Sequence, residues 1–227
     1  MTGYLHRVRL RSGLSLEQLA RAIPTNAYAE HKLVWRWFAD DISSRDFLFR
    51  REQHGERPAF YVLSRRPAAD PTGLWDIESK PFEPRLARGV CLAFTLRANP
   101  VKVRKVSDDQ TVKSRRRDDV VADLKKRRYQ DPAQRPPMAE LVQEAGSAWL
   151  EERAESAGFA LESVIVDNYQ QQRWYKAGVA QPITLSTLEF TGKLVVRDPD
   201  LFIDKLFRGI GPAKAFGCGL LLVRRAG

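Results

Sequence analysis

Residues 208–223 read Arg-Gly-Ile-Gly-Pro-Ala-Lys-Ala-Phe-Gly-Cys-Gly-Leu-Leu-Leu-Val, with four glycines (Gly209, Gly211, Gly217, Gly219) around a single lysine, Lys214. No other stretch constrains the backbone as sharply. Glycines at this density permit turns that other residues resist, and they let backbone N–H groups approach another molecule closely. One cation inside such a loop suits a phosphate chain; a plain tight turn with glycines at positive φ is the simpler alternative. The loop follows a helix-like run (199–207) and precedes an apolar run (220–223), the reverse of a nucleotide-binding βα turn. The chain also holds no Gly-x-x-x-x-Gly-Lys-Ser/Thr.

The rest of the chain alternates strand-like and helix-like runs. Residues 4–10 set Leu5, Val8 and Leu10 loosely against His6, Arg7 and Arg9, the pattern of an opening strand with a basic face on which His6 is exposed. Residues 15–23 have helix character behind a Ser15 cap, and Pro24 stops them. A second helix is expected over 27–38, capped by Asn26. Strands follow at 45–51 and 59–63, joined by the turn 53–58, which leaves His54 in solvent. A loop or weak helix (67–73) and a closing strand (74–82) complete the order of a ferredoxin-like unit. Pro81 and Pro84 mark a boundary, giving domains 1–84 and 85–227.

Strands at 90–96 and 101–106 open the second domain. Between Lys102 and Arg135 stand twelve Lys or Arg against six Asp, with few apolar residues and no clear period, so 102–135 reads as an extended basic arm. An amphipathic helix is expected over 136–155 (Leu141, Val142, Ala145, Trp149, Leu150). Strands over 159–166, 169–175 and 185–196, a helix over 199–207 and the glycine loop (209–219) follow. The second domain thus reads as another, more decorated ferredoxin-like unit.

Charge narrows the partners. The 38 Lys and Arg exceed the 28 Asp and Glu by ten, which predicts a polyanion. Membrane is disfavoured, because no apolar run approaches the roughly 20 residues of a spanning helix and the N-terminus carries no signal-peptide core. Two distant cysteines, Cys91 and Cys218, are expected as core thiols without a disulfide, with the cytoplasm as the default compartment. The three histidines (His6, His31, His54) have no metal-ligand spacing, and the pairs Asp40-Asp41, Asp108-Asp109 and Asp118-Asp119 are expected to be solvated. No metal or cofactor is expected.

The glycine loop resembles the C-terminal signature of CRISPR-associated repeat-processing endoribonucleases, in its form Gly-Ile-Gly-Pro-Ala-Lys…Gly-Cys-Gly-Leu the type I-E Cascade family called CasE. Arg45-Asp-Phe-Leu-Phe49, Leu96-Arg-Ala-Asn-Pro-Val-Lys102 and Tyr28-x-x-His31 agree with that family, in its order along the chain. The resemblance implies an α+β fold of two tandem ferredoxin-like (RRM-like) βαββαβ domains with a cleft between them. It also implies a CRISPR repeat hairpin (pre-crRNA, retained as crRNA) and other Cascade subunits as partners.

RNA offers a route that needs no metal: its 2′-hydroxyl attacks the adjacent phosphate while a base takes the proton and an acid protonates the departing 5′-oxygen. Histidine suits proton transfer near neutrality, and Tyr28 and His31, three residues apart, project from one helix face. The family's tyrosine and histidine match them. Tyr28, His31, Val34, Trp35 and Phe38 also form one stripe, so a packing role for His31 is the competing reading. Charge developing on the phosphorane needs cations or N–H groups. Lys214 with Gly209 and Gly211 suits an RNA-backbone cradle, and Arg173 and Lys176 lie where relatives carry basic residues near the scissile phosphate. Which of Tyr28, Arg173 and Lys176 is the acid stays open. Arg115, Arg116, Arg117, Lys125, Lys126, Arg127 and Arg128 are the candidates for gripping an A-form stem by its phosphates. A noncatalytic subunit that only caps the hairpin is the alternative function.

Overall fold

The computed structural model describes residues 1–38, 45–55, 57–105, 115–174 and 183–226, with the side chains of His54, Arg104, Lys105, Arg115, Arg116, Trp174 and Ile183 outside the described set. Contacts group these residues into two units, Met1–Leu86 with Ile203–Leu221, and Ala87–Phe202 with Leu222–Gly227. The glycine loop therefore packs with the first unit although it comes late in the chain.

The first unit runs β1 (Gly3–Leu10), α1 (Leu16–Ala22), α2 (Ala27–Arg36), β2 (Phe47–His54), β3 (Arg57–Ser64), β4 (Trp75–Phe82). Its sheet is antiparallel in the order β2-β3-β1-β4, the ferredoxin-like arrangement. Ser15 and Gln18 close a reciprocal capping box at the start of α1. Asn26 Oδ1 accepts the Ala29 N–H at 2.9 Å and starts α2. Residues 67–73 form no helix; of the two forms expected there, the loop is the one observed. Val34, Trp37 and Phe38 bury against Val8, Phe47, Phe49 and Phe60. Trp37, Phe60 and Trp75 meet edge to face, with centroids 5.4 to 5.6 Å apart, the geometry aromatic quadrupoles favour.

One expectation for β1 is overturned: His6 is fully buried. The strand's period of two places His6 in phase with Val8 and Leu10, not with Arg7 and Arg9, and that phase faces inward. An imidazole is tolerated there because both nitrogens find hydroxyls, Ser79 Oγ at 2.7 Å from Nδ1 and Ser64 Oγ at 2.8 Å from Nε2.

The second unit holds β5 (Cys91–Ala98), β6 (Val101–Lys105), β7 (Arg115–Asp119), α3 (Val120–Arg127), α4 (Met138–Ala154), β8 (Phe159–Trp174) and β9 (Ile183–Val196). Helix α5 (Pro199–Arg208) spans the division between units, and β10 (Leu221–Arg225) completes an antiparallel sheet in the order β10-β5-β9-β8. It repeats the ferredoxin-like arrangement, so two such units stand in tandem. Strand β5 alternates strictly, with Leu92, Phe94, Leu96 and Ala98 buried. Trp149 and Leu150 of α4 supply the covering layer.

Three expectations for this unit change. The stretch 102–135 is not an extended arm among the described residues: it forms the hairpin β6–β7 and then α3. Asp119 caps that helix by accepting the Ala122 N–H at 2.8 Å, and the buried pair Val120 and Val121 anchors it. Two adjacent apolar residues in its first turn help dock a helix that composition alone does not reveal. The strands expected at 159–166 and 169–175 are one, β8, whose break is an irregularity between Asp167 and Gln170 with Asn168 at φ 49. Of the two free thiols, Cys218 is buried as expected. Cys91 is partly exposed, because it sits on the outward phase of β5 beside Glu162 Oε2 at 3.2 Å. Among the described residues no helix is long and apolar enough to cross a membrane.

Burial lowers the His6 pKa below 6.5, outweighing the Arg66 backbone interaction that raises it. The unfolded chain then takes up the proton first, so stability is full above about pH 6.5 and is lost as the pH falls from there through the lower value of the folded state. We expect the thermal midpoint to decline below about pH 6.5. His6→Asn should flatten that limb while lowering the plateau by about 1–3 kcal/mol, measurable by calorimetry across pH 5 to 8.

Candidate active site

Because Asn26 sets the start of α2, the helix phase is settled: one side meets the sheet and His31 lies at the border of that side, half-buried. Tyr28, one turn earlier, is 45% exposed and carries the Lys32 Nζ 4.5 Å above its ring. His31 Nε2 accepts a hydrogen bond from Trp35 Nε1–H at 3.1 Å. Indole nitrogen only donates, so the acceptor Nε2 holds the lone pair and the ring proton resides on Nδ1. Trp35 is itself braced edge-on by Phe47, with centroids 5.1 Å apart. The Nδ1 atom is sealed from solvent without a hydrogen-bond partner.

Burial first, and the Arg45 charge second, push the His31 pKa below 6.5, against a smaller upward pull from the Ala215 carbonyl. The ring is therefore neutral at pH 7, the form in which a base is useful. Ala215 belongs to the glycine loop, so this interaction also shows that the loop lies beside α2.

The loop is closed on itself. Ile210 N–H donates to Gly219 O at 3.0 Å, and Gly209 and Gly219 adopt φ of 74° and 90°. A Cβ on Gly209 would stand 2.8 Å from Gly219 O, and one on Gly219 2.9 Å from Ile210 O, so glycine is required at both by conformation and by space. Gly211 and Gly217 also have positive φ. Lys214 Nζ donates to Gly211 O at 2.6 Å. Burial, then Arg45, then Lys205 lower its pKa.

The structure thus brings His31, Lys214 and the glycines together, and it adds Arg45, which sequence reasoning quoted only as a motif letter. Arg45 is half-buried just before β2, and its Nε is sealed without a hydrogen-bond partner. Its adjacent acid, Asp46, is bound to Arg66 at 3.0 Å. The signal in the sequence was an arginine at the head of an apolar strand; only the tertiary pairing of Asp46 shows that its neighbour gives Arg45 no counter-charge.

The remaining candidates lie in the second unit. Arg173 is exposed on β8, and Lys176 falls outside the described residues. Arg115, Arg116 and Arg117 lie on β7 opposite Lys105, Arg104 and Val103. Lys126, Arg127 and Arg128 are exposed on or just after α3 and Lys125 is half-buried. Arg127 pairs with Asp123 at 3.9 Å and Arg128 pairs with Glu144. Such surface pairs are worth about 0–1 kcal/mol and yield readily to a stronger anion. Among the described residues no cluster of His, Cys, Asp and Glu has metal-binding geometry.

By fold and site this is an α+β protein of two ferredoxin-like units, the first presenting a neutral histidine beside a cationic glycine loop. The chain belongs to the CasE family of CRISPR-associated proteins: the family described as "CRISPR associated protein" matches residues 4–225. The chain is 32% identical to the Cascade subunit CasE of Escherichia coli K12, over 92% of this chain and 96% of that one. Among solved structures, the CRISPR endoribonuclease Cse3 bound to a 19-nucleotide RNA matches with a TM-score of 0.67 at 26% identity, over 99% and 100% of the two chains. Cas6e from E. coli K-12 matches with a TM-score of 0.63 at 26% identity, over 98% and 100%.

Donation to the imidazole lone pair favours the neutral ring, so Trp35 works in the same direction as burial. Trp35→Phe should raise the His31 pKa toward 6.5, a change in proton affinity of about threefold to tenfold, and should mix the two ring tautomers. Nitrogen-detected NMR of labelled histidine across pH reads both; an unchanged pKa and a pure Nδ1–H tautomer would contradict the assignment.

Proposed function

We propose that the protein is an endoribonuclease that binds the hairpin of CRISPR repeat transcripts, cleaves by attack of a 2′-hydroxyl, and keeps the crRNA product as a Cascade subunit. The observation that carries this is His31: a neutral imidazole, its proton on Nδ1, set beside Arg45 and the loop of Lys214. Family membership and the RNA-bound Cse3 structure support the substrate class.

In this reading Trp35 surrenders its hydrogen bond and the RNA 2′-hydroxyl takes its place at Nε2. His31 removes the hydroxyl proton as the O2′–P bond forms. The P–O5′ bond breaks and the leaving oxygen receives a proton, which we assign to the Tyr28 hydroxyl, exposed one turn from His31. Arg173 and Lys176 are the other candidates for this role. The products are a 2′,3′-cyclic phosphate and a 5′-hydroxyl, and no metal enters the balance. Lys214 with Gly209 and Gly211 cradles the RNA backbone. Arg115, Arg116, Arg117, Lys125, Lys126, Arg127 and Arg128 grip the stem by its phosphates. Two free thiols suit the reducing cytoplasm in which we place this work.

Repeat RNA incubated with protein in EDTA should be cut, and RNA carrying a 2′-deoxy nucleotide before the cut should survive. His31→Ala should slow cleavage about 10²–10⁴-fold with the RNA dissociation constant little changed. Rate should rise with pH to a midpoint below 6.5 and stay level above it, because the base is already neutral there. RNA binding without cleavage by the wild type would instead support a noncatalytic hairpin cap, cleavage indifferent to His31→Ala would remove His31 as the base, and loss of cleavage in EDTA would support a metal-dependent nuclease.

A further inference from the structure

Arg45 and Lys214 form an electrostatic conflict inside the first unit. Each is half-buried, the turn Lys214–Phe216 packs against both α2 and β2, the strand that Arg45 leads into, and the Arg45 charge, with that of Lys205, lowers the Lys214 pKa. Among the described residues no carboxylate pairs with Arg45 or Lys214. Of the acids that flank this cluster in sequence, the described ones are committed elsewhere: Asp46 to Arg66 at 3.0 Å, Glu30 to Arg51 at 2.5 Å, Asp204 to Arg208 at 2.9 Å. Lys214 spends one proton on the Gly211 carbonyl, and the Arg45 Nε has no hydrogen-bond partner. Like charges brought together with desolvation, and with no acid paired to them among the described residues, raise the energy of the folded chain. A bound anion turns that cost into attraction.

We propose that Arg45 and Lys214 together form a phosphate site that holds the non-bridging oxygens of the phosphodiester His31 acts on, with Arg45 as the principal ligand. The guanidinium presents a planar fork that matches two phosphate oxygens, whereas Lys214 offers a point charge already engaged by its own loop. The same charge that draws the phosphate adds to burial in favouring the neutral form of His31, since Arg45 disfavours a second cation beside it. Nothing moves between atoms in this role: Arg45 offsets charge that grows on the phosphorane oxygens while His31 takes the proton. The assignment deepens the nuclease reading and rests on it.

The test uses opposite signs on the full-length protein. Arg45→Met keeps the apolar stem and removes the charge. Relief of repulsion should raise the thermal midpoint by about 2–4 °C, while single-turnover cleavage of repeat RNA falls about 10²–10³-fold. Sodium phosphate, compared with sodium chloride at equal ionic strength, should stabilise the wild type and should lose that effect in Arg45→Met. Arg45→Lys should restore part of the phosphate effect and part of the rate, which separates a charge role from packing. A lower midpoint in Arg45→Met with an unchanged phosphate effect in both variants would make Arg45 structural and overturn the proposal. So would normal cleavage by Arg45→Met alongside loss in His31→Ala, an outcome that leaves the nuclease reading intact. Phosphate binding that follows Arg45 while His31→Ala still cleaves would remove His31 as the base in the proposed function and keep the anion site.

Discussion

The chemistry of the first unit hangs on the burial of one side of a ten-residue helix. Val34, Trp37 and Phe38 lock that side and the turn after it onto the sheet, and Asn26 sets where the helix begins. With phase and start both settled, His31 can only fall at the border between core and solvent. A histidine deeper in would be a packed ring like His6, held by Ser64 and Ser79. One further out would be solvated and half-protonated near pH 6.5. The border position gives a ring that is neutral yet within reach of a ligand, with Trp35 fixing which nitrogen carries the proton.

Charge in this protein is organised by where the acids go. The excess of ten positive charges is not spread evenly. On β1 and β4 the arginines are answered, Arg7 and Arg9 by Glu78 and Arg11 by Asp76. Around the glycine loop the described carboxylates Asp46, Glu30 and Asp204 are drawn away to Arg66, Arg51 and Arg208. A surface neutralised in one region and left in conflict in another costs stability in the free protein, and a polyanion recovers that cost on binding.

Much of the fold was legible because it rests on local signals. Ser15 with Gln18 and Asn26 are caps whose mechanism is written in three residues, and β5 alternates so strictly that its buried phase can be read directly. Local signals failed where a neighbour decided. The loose pattern of β1 admits two phases, and the inward one wins only because Ser64 and Ser79, from distant strands, satisfy both nitrogens of His6. In 102–135 the charges hid a helix docked by two valines, and in β8 a residue at positive φ looked like the end of a strand.

The site divides along the same line. The sequence by itself determined the helix spacing of Tyr28 and His31, the loop that only glycines can form, and the basic balance that calls for a polyanion, because each depends on residue type and short-range geometry. Tertiary structure alone decided that the loop, far along the chain, packs with the N-terminal unit and sets Ala215 beside His31, and that Arg45 and Lys214 share one neighbourhood. Protonation state, tautomer and unanswered charge are sums over neighbours in space. No run of residues carries such a sum until the chain has folded.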